Sequence, residues 1–243
     1  MPAARLDESL SFEPSASRPN HLPLSPGRLT FGSPPAASSP GRYTTATRLL
    51  IATTNRHKVR EIRALLAGIP YDIVSLDDWP DIEAPEEAGR TFEDNARAKA
   101  LYYAAATSEL TIAEDSGLEI DALGGAPGVE SARYGGVETS YPQKFALIYA
   151  ELRQKNQANS MARFVCAVAL ARGDRIIFQT RGVIEGRIAA APRGEGGFGY
   201  DPIFFYPPYG RTLAEATPDQ KSAVSHRGQA FRTLRRFLEG WRS

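Results

Sequence analysis

One cysteine in 243 residues leaves no internal disulfide and no cysteine-built structural zinc site. That residue, Cys166, lies in the apolar run Phe164–Leu170 and reads as a small core residue. An excess of either charge is also missing. Twenty-nine Lys and Arg face 28 Asp and Glu, a net charge of +1. This gives no broad electrostatic footprint for polymeric nucleic acid. No apolar run approaches the roughly 20 residues that span a bilayer, and the N-terminus lacks the basic-then-apolar layout of a secretory leader. A cytoplasmic protein with no membrane partner is the expectation.

Apolar periodicity is missing from residues 1–47, while proline and serine are abundant. Eight of the 18 prolines and eight serines fall in residues 1–42. Such a segment cannot bury enough surface to offset its ordering entropy, so a disordered extension is expected there. The folded domain is expected over 48–243, where 42% hydrophobic content for the whole chain supports a proper core.

From Arg48 onward, strand and helix patterns alternate. Leu49–Ala52 reads as a buried strand, followed by a helix carrying Val59, Ile62, Leu65 and Leu66 on one face. Strands are also expected at 71–76, 110–113, 118–123, 163–171, 175–188 and 203–205. The two long strands, 163–171 and 175–188, are joined by the hairpin turn Arg172-Gly173-Asp174. Helices are expected at 91–107, with Thr91 and Asp94 as a capping box, at 141–156, and as one amphipathic element at 225–241. The implied class is α/β with an elongated mixed sheet and flanking helices.

Five polar constellations fall near strand-to-loop junctions, where open α/β sheets bind ligands. The loop Thr53-Thr54-Asn55-Arg56-His57-Lys58 leads into a helix N-terminus, a natural anion site, yet contains no glycine. An ordinary N-cap would explain it equally well. Glu86 and Glu87 precede the second helix and lie outside its cap; they are either metal ligands or solvated. Glu114 and Asp115 end the expected strand 110–113 and are followed by Ser116-Gly117. Carboxylates at a strand end suit Mg²⁺, although Asp-Ser-Gly is also good turn chemistry. Gly124, Gly125, Gly128, Gly135 and Gly136 then suggest backbone packed tightly around a site. The loop around Phe198-Gly199-Tyr200-Asp201 offers aromatic faces and one carboxylate, able to stack on a base and bond its edge. Lys221, His226 and Arg227 near a helix start are unfavourable for the macrodipole and hint at an anionic partner. Together these would make a nucleoside triphosphate site: acids for Mg²⁺, cations and a helix N-terminus for phosphates, an aromatic loop for the base.

The segments "ATTNRHKVREIRALL", "EEAGRTFEDNARAKA", "AEDSGLEIDALGGAPGVESARYGG", "GGFGYDPIFF" and "KSAVSHRGQAF", in this order, resemble the inosine/xanthosine triphosphate pyrophosphatase family. The resemblance covers about residues 48 to 241. It implies two lobes around a deep substrate cleft, a homodimer, and Mg²⁺-dependent hydrolysis of the deaminated purine nucleotides ITP, dITP and XTP to monophosphate and pyrophosphate. It makes Asp115 the catalytic carboxylate and a metal ligand, with Glu86 the second metal-associated acid. Substrate contacts fall on Thr53, Thr54, Asn55, Arg56, His57, Lys58, Ser116, Phe198, Gly199, Tyr200, Asp201, Lys221, His226 and Arg227. Thr54 and His57 stand where the family often carries glycine. A Cβ disfavours φ > 0, so regular backbone is expected at Thr54. Two rival readings are a Maf-like pyrophosphatase for other nucleotides, which the "GGFGYD" and "SHRG" segments disfavour, and a non-catalytic nucleotide-binding regulator, which would not need both acidic clusters.

Overall fold

Leu49, Leu50 and Ile51 are at most 1% exposed, because the strand they form lies inside a sheet covered on both faces. The computed structural model describes residues 47–241. The extension expected over 1–47 lies outside these, save its last residue. Seven strands form one mixed sheet in the order β2-β1-β3-β4-β5-β6-β7. They are β1 (Arg48–Ile51), β2 (Asp72–Ser75), β3 (Leu110–Ile120), β4 (Met161–Arg172), β5 (Arg175–Ile188), β6 (Phe204–Tyr206) and β7 (Arg211–Thr212). β1 pairs in parallel with β2 and β3, and every later pairing is antiparallel. Five helices flank the sheet: α1 (Arg56–Leu65), α2 (Phe92–Thr107), α3 (Tyr141–Gln154), α4 (Pro218–Val224) and α5 (His226–Gly240). Among the described residues no helix is long and apolar enough to cross a membrane.

Two local expectations are corrected. The two short strands expected around Glu114-Asp115 are a single strand, β3, with the acids in its middle. Asp-Ser-Gly does not turn because β3 pairs without a break against β4, from Thr111↔Ala171 to Ile120↔Ala162. Gly117 is required there for space, since a Cβ would strike the Ser131 hydroxyl. The helix expected at 225–241 is α5, and a short helix that was not expected, α4, precedes it. Thr217 caps α4 through Gln220 N–H in a full capping box, with Pro218 at the first helical position. Ser225 then ends α4 and caps α5, accepting from Gly228 N–H. At α2 only the Thr91 arm of the expected box forms, accepting from Asp94 N–H.

The long strands β3, β4 and β5 pass through separate cores. Leu110, Ile112, Val168 and Leu170 pack with α1 and α5. Ala113, Val165, Ala167 and Ala169 face α2 on the opposite side of the sheet. Further along, Leu118, Ile120, Phe164, Ile184 and Ile188 form a third cluster with Phe145, Ile148 and Leu152 of α3. Fully burying such a side chain is worth about 1.5–3 kcal/mol, so each end of the strands is held by its own apolar cluster. Glu114, Asp115 and Ser116 fall between the ends.

Candidate active site

The site lies where β3 outruns its neighbour. β1 stops at Ile51, paired with Ile112, and the last contact is Ala52 N–H donating to Ile112 O. Beyond that point β3 has no strand partner on the β1 side among the described residues. The chain from β1 instead turns into the N-terminus of α1. Side chains alternate along a strand, so Glu114 and Ser116 share the α1/α5 face with Ile112, while Asp115 shares the α2 face with Ala113.

On the α2 face, Asp115 Oδ2 accepts from Asn95 Nδ2 (2.9 Å) and Oδ1 from Ser116 N–H (3.0 Å). Asn95 is oriented in turn because its Oδ1 accepts from Gly89 N–H. Lys99 Nζ lies 2.6 Å from Glu87 Oε1 and 3.7 Å from Asp115 Oδ1. Arg133 holds the other Glu87 oxygen at 3.1 Å. Burial pushes the Asp115 carboxyl above its ordinary value, against the opposing pull of Lys99 and Asn95. Burial also opposes the charge of Glu87, but Lys99 and Arg133 prevail and hold it low. Glu86, expected beside Asp115, is exposed and makes no ion pair among the described residues; the inward acid is its neighbour Glu87.

On the opposite face, Glu114 is wholly buried and surrounded by donors. Lys58 Nζ lies 2.7 Å away, Arg227 Nη2 3.3 Å, and the Cys166 thiol donates at 3.0 Å. Burial opposes its charge, yet Arg227 and Lys58 hold the carboxyl well below the usual range. Arg227 also donates to Glu61 (2.8 Å) and to Ser116 Oγ (3.0 Å). The anionic partner that its position suggested is therefore found first within the protein. Burial, reinforced by Arg227, pushes His226 well down, leaving a neutral imidazole stacked on Phe164 at 4.9 Å. Lys221 is not at a helix start: it sits within α4, where it bridges Asp201 (2.7 Å) and Glu61 (2.9 Å).

The loop Phe198–Asp201 is shaped around Asp201. Its Oδ2 accepts from Phe198 N–H (2.8 Å), an approach that requires Gly197 at φ +70, where a Cβ would collide with that carboxylate. Tyr200 is buried, and its hydroxyl donates to Ser131 O (2.8 Å). In the entry loop, Asn55 Oδ1 accepts from His57 N–H and Lys58 N–H, which caps α1. Thr54 does not take a positive φ, as expected from its Cβ. Gly124, Gly125 and Gly128 are not tightly packed: a Cβ on any of them would meet open space, and positive φ is what their turns need.

A cavity of about 100 Å³ gathers Asn55, Lys58, Ser116, Gly199, Tyr200 and Asp201 with Phe198, Lys221, His226 and Arg227. Thr53, Thr54, Arg56 and His57 are not part of its lining. A second cavity of about 460 Å³ shares Phe198 and Lys221 and adds His57, Arg60 and Glu61. Sequence reasoning missed Glu61, Asn95 and Lys99. Glu61 lies at i+3 from Lys58 and Asn95 at i+4 from the cap Thr91, with Lys99 one further turn on, a signal shared with any solvated helix face.

A strand edge bearing matched carboxylates and cations, beside a helix N-terminus and an aromatic loop, is the architecture of α/β proteins that handle nucleoside polyphosphates. The chain belongs to the Ham1 family, whose model matches residues 49–237. It is 47% identical over 187 residues to a dITP/XTP pyrophosphatase of Exiguobacterium sp. (strain AT1b), covering 77% of this chain and 94% of that protein. It is 46% identical over 197 residues to a dITP/XTP pyrophosphatase of Geobacter sulfurreducens, covering 80% and 98%. Among solved structures, a HAM1 protein from Coxiella burnetii superposes with a TM-score of 0.74 at 37% identity, covering 79% of this chain and 98% of that one.

Proposed function

We propose that this chain hydrolyses the deaminated purine nucleotides ITP, dITP and XTP to monophosphate and pyrophosphate, removing them from the nucleotide pool. The observation that carries this reading is the open edge of β3, with Asp115 on one face and the Phe198–Asp201, His226 and Arg227 wall on the other. The similarity to relatives named dITP/XTP pyrophosphatase supports the same substrates. The resemblance supports a homodimer and a cytoplasmic location.

Asp115 is the carboxylate that orients and deprotonates the water attacking the α-phosphorus, with pyrophosphate leaving. Its burial suits a base, since the neutral product of proton uptake is favoured there. Lys58 and Lys99 lie beside the acids and are placed to exchange carboxylate oxygens for phosphate oxygens. His226 Nδ1 and Arg227 Nε are buried without a hydrogen-bond partner among the described residues. They are the unspent polar atoms next to the cavity that receives the base. A 6-oxo group offers an acceptor where adenine offers a 6-amino donor, and that difference is what the wall selects.

The donor chemistry fits Mg²⁺. Asp115 and Glu87 are hard oxygen ligands reached by one Lys99 ammonium. Among the described residues no group of three or more His, Cys, Asp or Glu could hold a metal, which suits an ion bound by one or two carboxylates plus substrate phosphates and waters. When bound, Mg²⁺ would neutralise triphosphate charge. We assign its second carboxylate to Glu87 in place of Glu86. Glu87→Gln is expected to raise the Mg²⁺ concentration needed for half-maximal activity at least about tenfold, and Glu86→Gln less than threefold; equal effects would remove the assignment.

A substrate panel tests the function. ITP, dITP and XTP are expected to be cleaved with kcat/KM at least about a hundredfold above ATP. Pyrophosphate, measured separately from orthophosphate, is the expected product. Release of orthophosphate, or equal cleavage of ATP, would refute the reading.

A further inference from the structure

The phosphate-binding turn and the base-binding loop are far apart in sequence, and one contact joins them directly. The imidazole of His57 stacks on the ring of Phe198, with centroids 5.3 Å apart and planes 16° from parallel. That separation and tilt are those of an offset aromatic pair. His57 is the second residue of α1, and its backbone N–H is tied to Asn55 Oδ1 at 3.0 Å. Its ring Nδ1 lies 2.9 Å from Arg60 Nη2. A guanidinium can only donate, so Nδ1 accepts and the proton of the neutral ring resides on Nε2. The backbone of His57 is thus held by Asn55 and its ring by Arg60, although the residue is exposed.

Phe198 is anchored within its own loop through its backbone N–H, which donates to Asp201 Oδ2 at 2.8 Å, but its ring has no aromatic or cationic partner there. Gly194, Gly197 and Gly199 around it all adopt positive φ and carry no side chain for the ring to pack against. Its other partners are cations: Lys221 Nζ is 4.6 Å and the Arg227 guanidinium 5.4 Å from the ring centroid. Both cations belong to the base cavity. His57 is the partner contributed by the phosphate turn.

We propose that His57 is a positioning residue, whose imidazole holds the Phe198 ring ready to stack on the purine and so couples the base loop to the phosphate-binding turn. This rests on the reading that Phe198 stacks on a purine base. An aromatic ring held in place before the ligand arrives loses less freedom on binding. His57 therefore acts on the base through Phe198 and is not a phosphate ligand.

The test uses the full chain with Mg²⁺, ITP as substrate, and inorganic tripolyphosphate, which lacks a base, as competitive inhibitor. His57→Ala is expected to raise KM for ITP roughly fivefold, the size of one aromatic pair, with kcat changed less than twofold. His57→Phe restores KM, because a ring and not a nitrogen is required. The tripolyphosphate inhibition constant stays the same in both variants. In a Phe198→Leu background, His57→Ala adds nothing further. A parallel rise in the tripolyphosphate constant, or no rescue by His57→Phe, would make His57 a phosphate ligand and overturn the proposal. An unchanged KM would make the stack idle, and a lowered KM would make His57 an obstruction; either overturns it. A wild-type chain inert towards ITP overturns the functional reading and this proposal together, whereas an active wild type with unresponsive variants overturns the role of His57 alone.

Discussion

Asp115→Asn is expected to lower kcat at least about a hundredfold, within the range that a positioned general base contributes, while leaving a folded protein. The structure explains why the fold survives. Burial already pushes the Asp115 carboxyl upward, so its charge is carried at a cost and a neutral amide removes that cost. Against this stands one lost hydrogen bond. Asn95 is fixed by Gly89 N–H and offers only its Nδ2 to position 115, while Ser116 N–H also donates to that side chain. An amide has one oxygen for these two donors, so one contact is lost at about 1 kcal/mol. Steady-state kinetics with ITP, together with thermal melting, check the result. A folded variant retaining more than about a tenth of kcat, roughly 1.4 kcal/mol of barrier, would show that Asp115 is not the central carboxylate.

Arg227→Ala is expected to cost about 3–5 kcal/mol of stability, the usual penalty for orphaning a buried partner. In a domain of this size that lowers the melting temperature by roughly 10 °C. Arg227 is 2% exposed, and its guanidinium reaches Glu114, Glu61 and Ser116. Without it, Glu114 keeps only Lys58 and the Cys166 thiol in a fully buried position. Neutralising the orphan should recover part of the loss: Arg227→Ala in a Glu114→Gln background is expected to cost about half as much or less. Chemical denaturation of the single and double variants measures this coupling. Equal costs in both backgrounds would show that Arg227 contributes by packing its stem and not by its charge.

Because Arg227 carries both fold and site, its effect on selectivity is best read from variants that remain folded at the assay temperature. The same holds for Lys221, which joins α4 to Asp201 and Glu61. Lys58, Lys221 and Arg227, which sequence reading assigns to substrate, are in the structure each paired with a buried carboxylate.

What the sequence alone determined was what depends on local order and on periodicity. The buried run Leu49–Ile51, the β4–β5 hairpin, the helical face of α5 and the Thr91 cap are legible because each is specified by neighbours in the chain. The α4 cap, Thr217-Pro218-Asp219-Gln220, carries the same kind of local signal, which sequence reasoning missed. The resemblance of five ordered segments carried the site residues as a set. Tertiary structure decided three things that no local pattern contains. Asp-Ser-Gly stays extended because β4 pairs with β3 along its whole length, and non-local pairing overrides turn propensity. Glu87, not Glu86, turns inward because Lys99 and Arg133, distant in sequence, converge on it. Glu114 and Asp115 lie on opposite faces of one strand, and β1 ends beside them, so that among the described residues β3 runs on without a strand partner on that side.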